Sequence, residues 1–152
     1  MRISVLLAIV ASIAVVIGVF GGLSHPVQGA EYTVGMQKLK LSPEDVFKFP
    51  VQTVLANSQG LTLYYFTADT PTRSNCTGAC AKTWLPLIGK APTKDPAILF
   101  GTVGAVHTVH GTQVAFNGHL LYTFTGDKAP GQATGNGRAG KWFAASPALG
   151  KW

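Results

Sequence analysis

The sequence predicts a mainly β protein. Two tandem, pseudo-symmetric β-repeats are expected to pack as a small sandwich or barrel-like domain after an N-terminal signal segment. One pattern of Gly, aromatic and Asp residues occurs twice at a fixed offset, and turn residues separate short strand-like runs. The composition, with 18 Gly, 10% aromatic and 12% charged residues, favours strands and tight turns over helices.

The first segment has the order of a secretory signal. One basic residue precedes an apolar run over 3–23, and small residues at Val27 and Gly29 suit a cleavage site that would remove 1–29. The run also reaches the ~20 residues that a membrane-spanning helix needs, so an uncleaved anchor is the alternative. Both interpretations place residues 30–152 outside the cytoplasm, in the periplasm or the extracellular space. Membrane contact is expected only if the segment is retained.

A shift of the chain by 58 residues aligns segment 60–69 with segment 118–127. Gly, Leu, Tyr, Phe, Thr and Asp coincide, and the same register brings Trp84 onto Trp142 without a gap. Rare residues matching in one register indicate a supersecondary unit that is used twice.

The repeats are predicted at about 54–88 and 112–146, within a single β-rich domain over 30–152. Each begins with a hairpin. In the first repeat, turn residues separate a strand at 54–56 from one at 61–66. In the second, Asn117-Gly118 follows a strand, and both residues of this turn type adopt positive φ.

The motif residues are predicted to form a shared core. Successive side chains of a strand alternate between faces, so the motif Tyr and Phe of each repeat share one face, and a third strand would pack each Trp against it. Each Asp lies just beyond its strand, where a carboxylate accepts backbone N–H bonds. An aromatic cage for a small ligand and a pair of catalytic carboxylates are the alternatives. The residues concerned are Tyr64, Phe66, Asp69, Trp84, Tyr122, Phe124, Asp127 and Trp142.

Outside the motif, 30–40 is interpreted as a lead-in segment or edge strand and 92–96 as the linker between repeats. The stretch 42–47 is the only helix-like part, because Ser42 suits a cap and Pro follows at the first helical position. Two long loops, 70–82 and 128–141, are predicted to be functional or cross-linked.

The G-x-x-L-Y-x-F-x-x-D segment, followed by Cys76-Thr77-Gly78-Ala79-Cys80 and Trp84, resembles the bacterial secreted-repeat family of predicted lipoproteins with the Yx(F/W/Y)xxD motif. The resemblance covers 54 to about 147. It implies two tandem copies, a Cys pair in the first copy, a Gly-rich loop in the second, and an unassigned biochemical role. The chain departs from the lipoprotein members because it lacks a lipidated Cys, so lipid anchoring is not expected.

Cys76 and Cys80 are the only cysteines. In an exported chain a disulfide is expected, and this one would fix the shape of the first long loop. A thiolate pair for copper binding or redox exchange is the alternative.

His107, His110 and His119 form the other candidate cluster. His119 follows the Asn117-Gly118 turn, so it could approach His110 across the hairpin. Copper or zinc would accept such ligands. The contrasting interpretation is that the three are exposed polar positions flanking turns.

No enzyme is predicted, because no nucleophile elbow, zinc-protease helix, phosphate loop or dinucleotide fingerprint occurs. All but one of the 12 Lys and Arg residues follow the signal segment, yet they are scattered, so nucleic acid is not expected as a partner. The leading hypothesis is a non-enzymatic envelope or extracellular protein that binds an unidentified ligand or envelope partner. The alternative is a periplasmic copper or redox protein that uses the Cys pair and the histidines.

Overall fold

The computed structural model describes residues 32–40 and 53–152. The predicted signal or anchor segment and the helix-like stretch 42–47 lie outside the described residues. Among those described, no helix has the length and apolar composition needed to cross a membrane. The mainly β prediction is confirmed by nine strands in the described ranges: β1 Gly35–Lys38, β2 Thr53–Ala56, β3 Leu63–Phe66, β4 Trp84–Pro86, β5 Val103–Thr108, β6 Gly111–Phe116, β7 His119–Leu120, β8 Tyr122–Phe124 and β9 Trp142–Ala144.

The four-stranded central sheet interleaves the two repeats. Its antiparallel order is β4-β8-β3-β9, so the motif strands β3 and β8 lie side by side with Tyr64 opposite Tyr122. Each Trp strand pairs with the motif strand of the other repeat: Trp84 lies opposite Phe124, and Trp142 lies opposite Phe66. The two repeats therefore complete one sheet together.

Both predicted hairpins are confirmed. Asn117 and Gly118 have φ of 51° and 88°, the positive values that the predicted turn requires, and they join β6 to β7. In the first repeat, a bridge between Ala56 and Thr62 closes the hairpin. The Asn57 carboxamide oxygen accepts the backbone N–H of Leu61 inside that turn, over 2.9 Å.

Two smaller sheets accompany the central one. The first is β1 paired with β2, which confirms an edge strand in the predicted lead-in segment. The second has the order β5-β6-β7. The central sheet is open, with β4 and β9 at its edges, so the packed sheets correspond to the sandwich rather than the barrel-like arrangement.

Each face of the central sheet contributes to its own core, as strand alternation requires. Leu63 and Leu121 face the first core, whereas their neighbours Tyr64 and Tyr122 face the second. The first core contains Val34, Leu55, Leu63, Ile98, Val114, Phe116, Leu121 and Ala145. The second contains Tyr64, Cys76, Trp84, Ala115, Leu120, Tyr122, Phe124 and Trp142.

The long loops are more ordered than their sequences indicate. A short α-helix, α1 (Ala79–Thr83), ends the first loop, and a 3-10 turn, Arg138–Gly140, lies in the second. The prediction of a first loop without regular structure is therefore wrong at its end. A five-residue helix is too short to show apolar periodicity, and Cys80 within it is joined to Cys76 by a disulfide.

Candidate functional site

The motif rings of the two repeats form one continuous stack, in the order Phe66, Trp142, Trp84, Phe124. The two indoles are parallel, with centroids 3.9 Å apart and an interplanar angle of 1°. Phe66 lies 4.3 Å from Trp142, and Phe124 lies 4.5 Å from Trp84. At these distances the rings fill the space between them, so they form a core, as predicted, and leave no room for the alternative aromatic cage.

Two equivalent hydrogen bonds cross between the repeats beside this stack. The Tyr64 hydroxyl donates to Asp127 Oδ2 over 2.6 Å, and the Tyr122 hydroxyl donates to Asp69 Oδ2 over 2.6 Å. Both tyrosines are fully buried, and the two carboxylates are almost fully buried. Each motif Tyr therefore satisfies the motif Asp of the other repeat, because a buried polar group needs a partner.

The second oxygen of each carboxylate organises a long loop. Asp69 Oδ1 accepts the backbone N–H of Asn75 over 2.7 Å. Asp127 Oδ1 accepts the backbone N–H of Thr134 over 2.9 Å and its hydroxyl over 2.6 Å. The predicted acceptance of backbone N–H bonds occurs, but the donors lie farther along the loop than the strand-end turn.

Burial changes the pKa values of the motif tyrosines and of Asp69. It raises the pKa of Tyr64 and Tyr122 well above that of a free phenol, and the bond from each to an aspartate raises the pKa further. Burial also raises the pKa of Asp69, while the hydrogen bonds from Tyr122 and Asn75 lower it. The phenols therefore remain neutral hydrogen-bond donors at physiological pH.

The two equivalent tyrosines differ in one neighbour. The Tyr122 oxygen lies 2.9 Å from Ser74 Oγ, whereas the Tyr64 oxygen accepts the backbone N–H of Gly135 over 3.3 Å. A phenol has a single hydrogen, and Tyr122 donates it to Asp69, so Ser74 is the donor in the contact with Tyr122. A side-chain hydroxyl in one repeat thus takes the place of a backbone amide in the other.

Ser74 also contacts His110, with Nε2 3.2 Å from Oγ. The same Nε2 lies 2.7 Å from the carbonyl oxygen of Cys76. A carbonyl only accepts, so Nε2 carries the hydrogen and cannot act as a base toward Ser74. Ser74 is also 97% shielded from solvent, having a relative exposure of 3%. This Ser–His contact therefore lacks the geometry of a nucleophile and its base.

The predicted disulfide is present, with an S–S distance of 2.00 Å between Cys76 and Cys80. Cys76 is fully buried in the second core, so the cross-link ties the first loop to the ring stack. At the positions that the 58-residue offset aligns with the two cysteines, the Thr134 hydroxyl binds Asp127 and the Arg138 guanidinium lies 4.7 Å from the centre of the Phe124 ring. The second loop is held by polar and cation–π contacts instead of a cross-link.

The three candidate histidines do not converge, so the expected approach of His119 to His110 is wrong. His110 precedes β6, whereas His119 pairs with Phe116 at the opposite end of that strand. His107 lies on β5, and its Nδ1 is 3.3 Å from the Thr112 hydroxyl. Within 32–40 and 53–152, no three His, Cys, Asp or Glu side chains are grouped so that they could hold a metal ion.

His119 instead lies under the C-terminal residues. Its ring is 5.0 Å from both Tyr65 and Trp152, and its Nε2 donates to the carbonyl oxygen of Gly150 over 3.2 Å. Its Nδ1 is buried and has no hydrogen-bond partner in the described part of the chain. Burial lowers the His119 pKa, and the Gly150 contact opposes this effect only in part.

Four loop residues complete the site, and the repeat pattern does not mark their roles: Ser74, Asn75, Thr134 and Gly135. The donor to Asp69 is six residues beyond it, whereas the donor to Asp127 is seven residues beyond it. The fixed offset of 58 therefore aligns Thr134 with Cys76 and hides its structural equivalence to Asn75.

Comparison with known proteins agrees with the repeat. A family described as a secreted repeat of unknown function matches residues 52–88 and 104–146, which together are more than half of the chain. No curated protein and no solved structure matched. The family's description as secreted supports the predicted export. With two matched copies that coincide with the interleaved halves of the central sheet, the chain belongs to this secreted-repeat family.

Proposed function

We propose that the chain is an exported, non-enzymatic binding protein in which the repeat motif builds the scaffold and the surface carries the interaction. The observation that carries this proposal is the reciprocal pairing of Tyr64 with Asp127 and of Tyr122 with Asp69. The motif carboxylates are buried, and both oxygens of each accept hydrogen bonds. A catalytic acid or base must instead reach its substrate.

Surface charge supports an anionic partner. The described acidic residues are Asp69, Asp95 and Asp127, and two of them are internal. Among the described basic residues, Lys94 is half-buried and the others are exposed: Lys38, Lys40, Arg73, Lys82, Lys90, Lys128, Arg138, Lys141 and Lys151. Burial of these two carboxylates leaves one described acid, Asp95, against nine exposed basic side chains on the described surface. Such a surface attracts anionic groups from solution.

Binding to cell envelopes tests the proposal. The purified full chain is sedimented with washed envelopes of the producing cells over a range of protein and salt concentrations. We expect saturable binding that weakens as salt rises, because exposed charges are screened. Replacing exposed Lys128, Arg138 and Lys141 of the second loop with Gln should weaken the binding. Absence of saturable binding would contradict the proposal.

A panel of ester and glycoside substrates tests the non-enzymatic part. We expect no turnover. Turnover that is lost in the Asp69→Asn variant but retained in the Tyr122→Phe variant would contradict the proposal. It would show that the Asp69 carboxylate is catalytic. Tyr122→Phe removes the hydrogen bond from Tyr122 to Asp69 and keeps the acid, so it controls for a loss of fold.

A further inference from the structure

Two large apolar side chains project from the segment between the repeats. Leu99 is 79% exposed and Phe100 is 78% exposed. Together with Ala97, Pro147 and Ala148 they line a shallow cleft of about 240 Å³. We call these five residues the apolar cleft. A contiguous group of exposed apolar side chains marks an interaction site more often than a single one does.

The fold holds this segment in place, so the exposure does not come from a loose loop. Ile98 is buried in the first core, and its N–H donates to the Asp95 carbonyl oxygen over 2.9 Å. On the other side, Gly101 has φ of +89°, and a Cβ there would lie 2.3 Å from the Phe116 ring. Leu99 and Phe100 are therefore presented outward between two fixed points.

The charged side chains near the apolar cleft indicate which kind of partner would bind there. The Lys94 ammonium donates to the Gly101 carbonyl oxygen over 2.9 Å, beside Phe100. Lys151 follows Ala148 by three residues, a reach of about 10 Å at most. The nearby Asp95 carboxylate accepts the N–H of Ala97 over 2.8 Å.

Two occupants would suit an apolar surface of this size. A second copy of the chain would bring together two molecules of formal charge +6, which repel each other. An anionic bilayer instead attracts the cationic surface and accepts Leu and Phe side chains at its interface without requiring a shaped pocket. The half-exposed Trp152 indole belongs to a residue type that is also enriched at such interfaces.

We propose that the apolar cleft inserts Leu99 and Phe100 into the surface of a membrane that contains anionic phospholipid. This contact is separate from any anchor at 3–23. The inference rests on the proposed binding function and names its partner as a lipid surface.

A local probe on the full chain tests it. Because the native cysteines are joined, a cysteine introduced at Phe100 supplies a single free thiol for the environment-sensitive fluorophore NBD. Val109 is the matched control, since it is an exposed apolar residue (71%) at the far end of the β5–β6 hairpin. The vesicles contain either equal parts of phosphatidylglycerol and phosphatidylcholine, or phosphatidylcholine alone.

We expect the fluorescence at position 100 to shift to the blue and intensify with the anionic vesicles, with little change at position 109 or with phosphatidylcholine alone. The unlabelled variant Leu99→Ser/Phe100→Ser should compete about tenfold or more weakly for the vesicles, from the lost burial of two apolar side chains.

Equal fluorescence changes at positions 100 and 109 would overturn the inference. A fluorescence change at position 100 that depends on protein concentration in the absence of vesicles would indicate a second copy of the chain and would also overturn it. No change at 100 with anionic vesicles would also overturn it. If envelope binding persists in that case, the lipid inference alone fails. If envelope binding is absent as well, the proposed function fails with it.

Discussion

The hydroxyl of Tyr64 lies 2.6 Å from Oδ2 of Asp127, so the motif tyrosine of one repeat is bonded to the motif acid of the other. Tyr122 and Asp69 repeat the same distance in the opposite direction. The Tyr and Asp of the Y-x-F-x-x-D pattern therefore connect the two repeats through hydrogen bonds. The Tyr serves the partner repeat, and the Asp receives the partner's Tyr while it also orders its own loop.

Removing either bridging hydroxyl should destabilise the protein. Tyr64→Phe and Tyr122→Phe each leave a buried carboxylate oxygen without this donor, which costs about 1–3 kcal/mol of the free energy of unfolding. Tyr65→Phe, on the same strand but half-buried and facing the other core, is the control and should change it by about 0.5 kcal/mol or less. Urea denaturation measures all three, and equal effects at positions 64 and 65 would contradict this role.

Stability should fall steeply at alkaline pH. Burial raises the pKa of Tyr64 and Tyr122 above the ordinary value near 10. The unfolded chain therefore releases these protons first, so the stabilisation is complete below about pH 10 and is lost as the pH rises further. The free energy of unfolding, measured from pH 8 to about 11, should decline less in the Tyr64→Phe/Tyr122→Phe variant than in the wild type. Parallel pH profiles would contradict the prediction.

Acidification should weaken the protein through His119. Because burial lowers its pKa, the unfolded chain binds the proton more readily than the folded chain. The stabilisation is present above the ordinary His pKa of about 6.5 and is lost as the pH falls through it. His119→Gln should flatten that part of the stability profile, whereas His107→Gln, at an exposed position, should leave it as in the wild type. A slope that persists in His119→Gln would assign the effect to another group.

Gly135 should not tolerate a larger residue. A Cβ there would lie 2.7 Å from the Trp84 indole and 3.1 Å from the Phe124 ring, so Gly135→Ala forces the ring stack apart at a cost of about 1–3 kcal/mol. Gly104→Ala is the control, because a Cβ at that strand position meets nothing within 4 Å. Thermal denaturation measures both variants. Equal melting temperatures would contradict the prediction, because they would show that the ring stack accommodates the added methyl group.

The cysteines should be unreactive in the native protein. Cys76 is fully buried and bonded to Cys80, so we expect no thiol to react without a reductant. Replacing both with Ala, which places no hydroxyl in the core, should lower the free energy of unfolding by less than the ~3 kcal/mol expected for a 15-residue loop, because this loop is much shorter. Thiol counting and elemental analysis of protein from the exported fraction provide the check. Free thiols with bound copper would favour the metal or redox alternative.

Local features of this fold could be predicted from the sequence, whereas the pairing of strands between repeats could not. Asn117-Gly118 specifies its own turn through positive φ, and alternation along β3 places Tyr64 and Phe66 on one face. Self-similarity shows that two units are alike. It does not show that each Trp strand leaves its own repeat to pair with the other, because both arrangements bury the same residues.

The polar part of the site was the least predictable. Ser74 and His110 are 36 residues apart and belong to a loop and a turn that show no periodicity. His119 was expected to face His110, but the C-terminal residues cover it instead. Contacts of this kind depend on where long loops and chain ends return to the surface, which short-range sequence patterns do not encode.

The interleaved sheet also constrains the order in which an exported chain can fold. Strand β3 emerges early, yet both of its neighbours, β8 and β9, belong to the second repeat. Until the polypeptide has crossed as far as Ala144, both edges of β3 lack their partners in this sheet and its aromatic side chains lack their cover. The first repeat therefore cannot complete its native sheet by itself, and β3 reaches its final pairing only once residues up to Ala144 are present to fold with it.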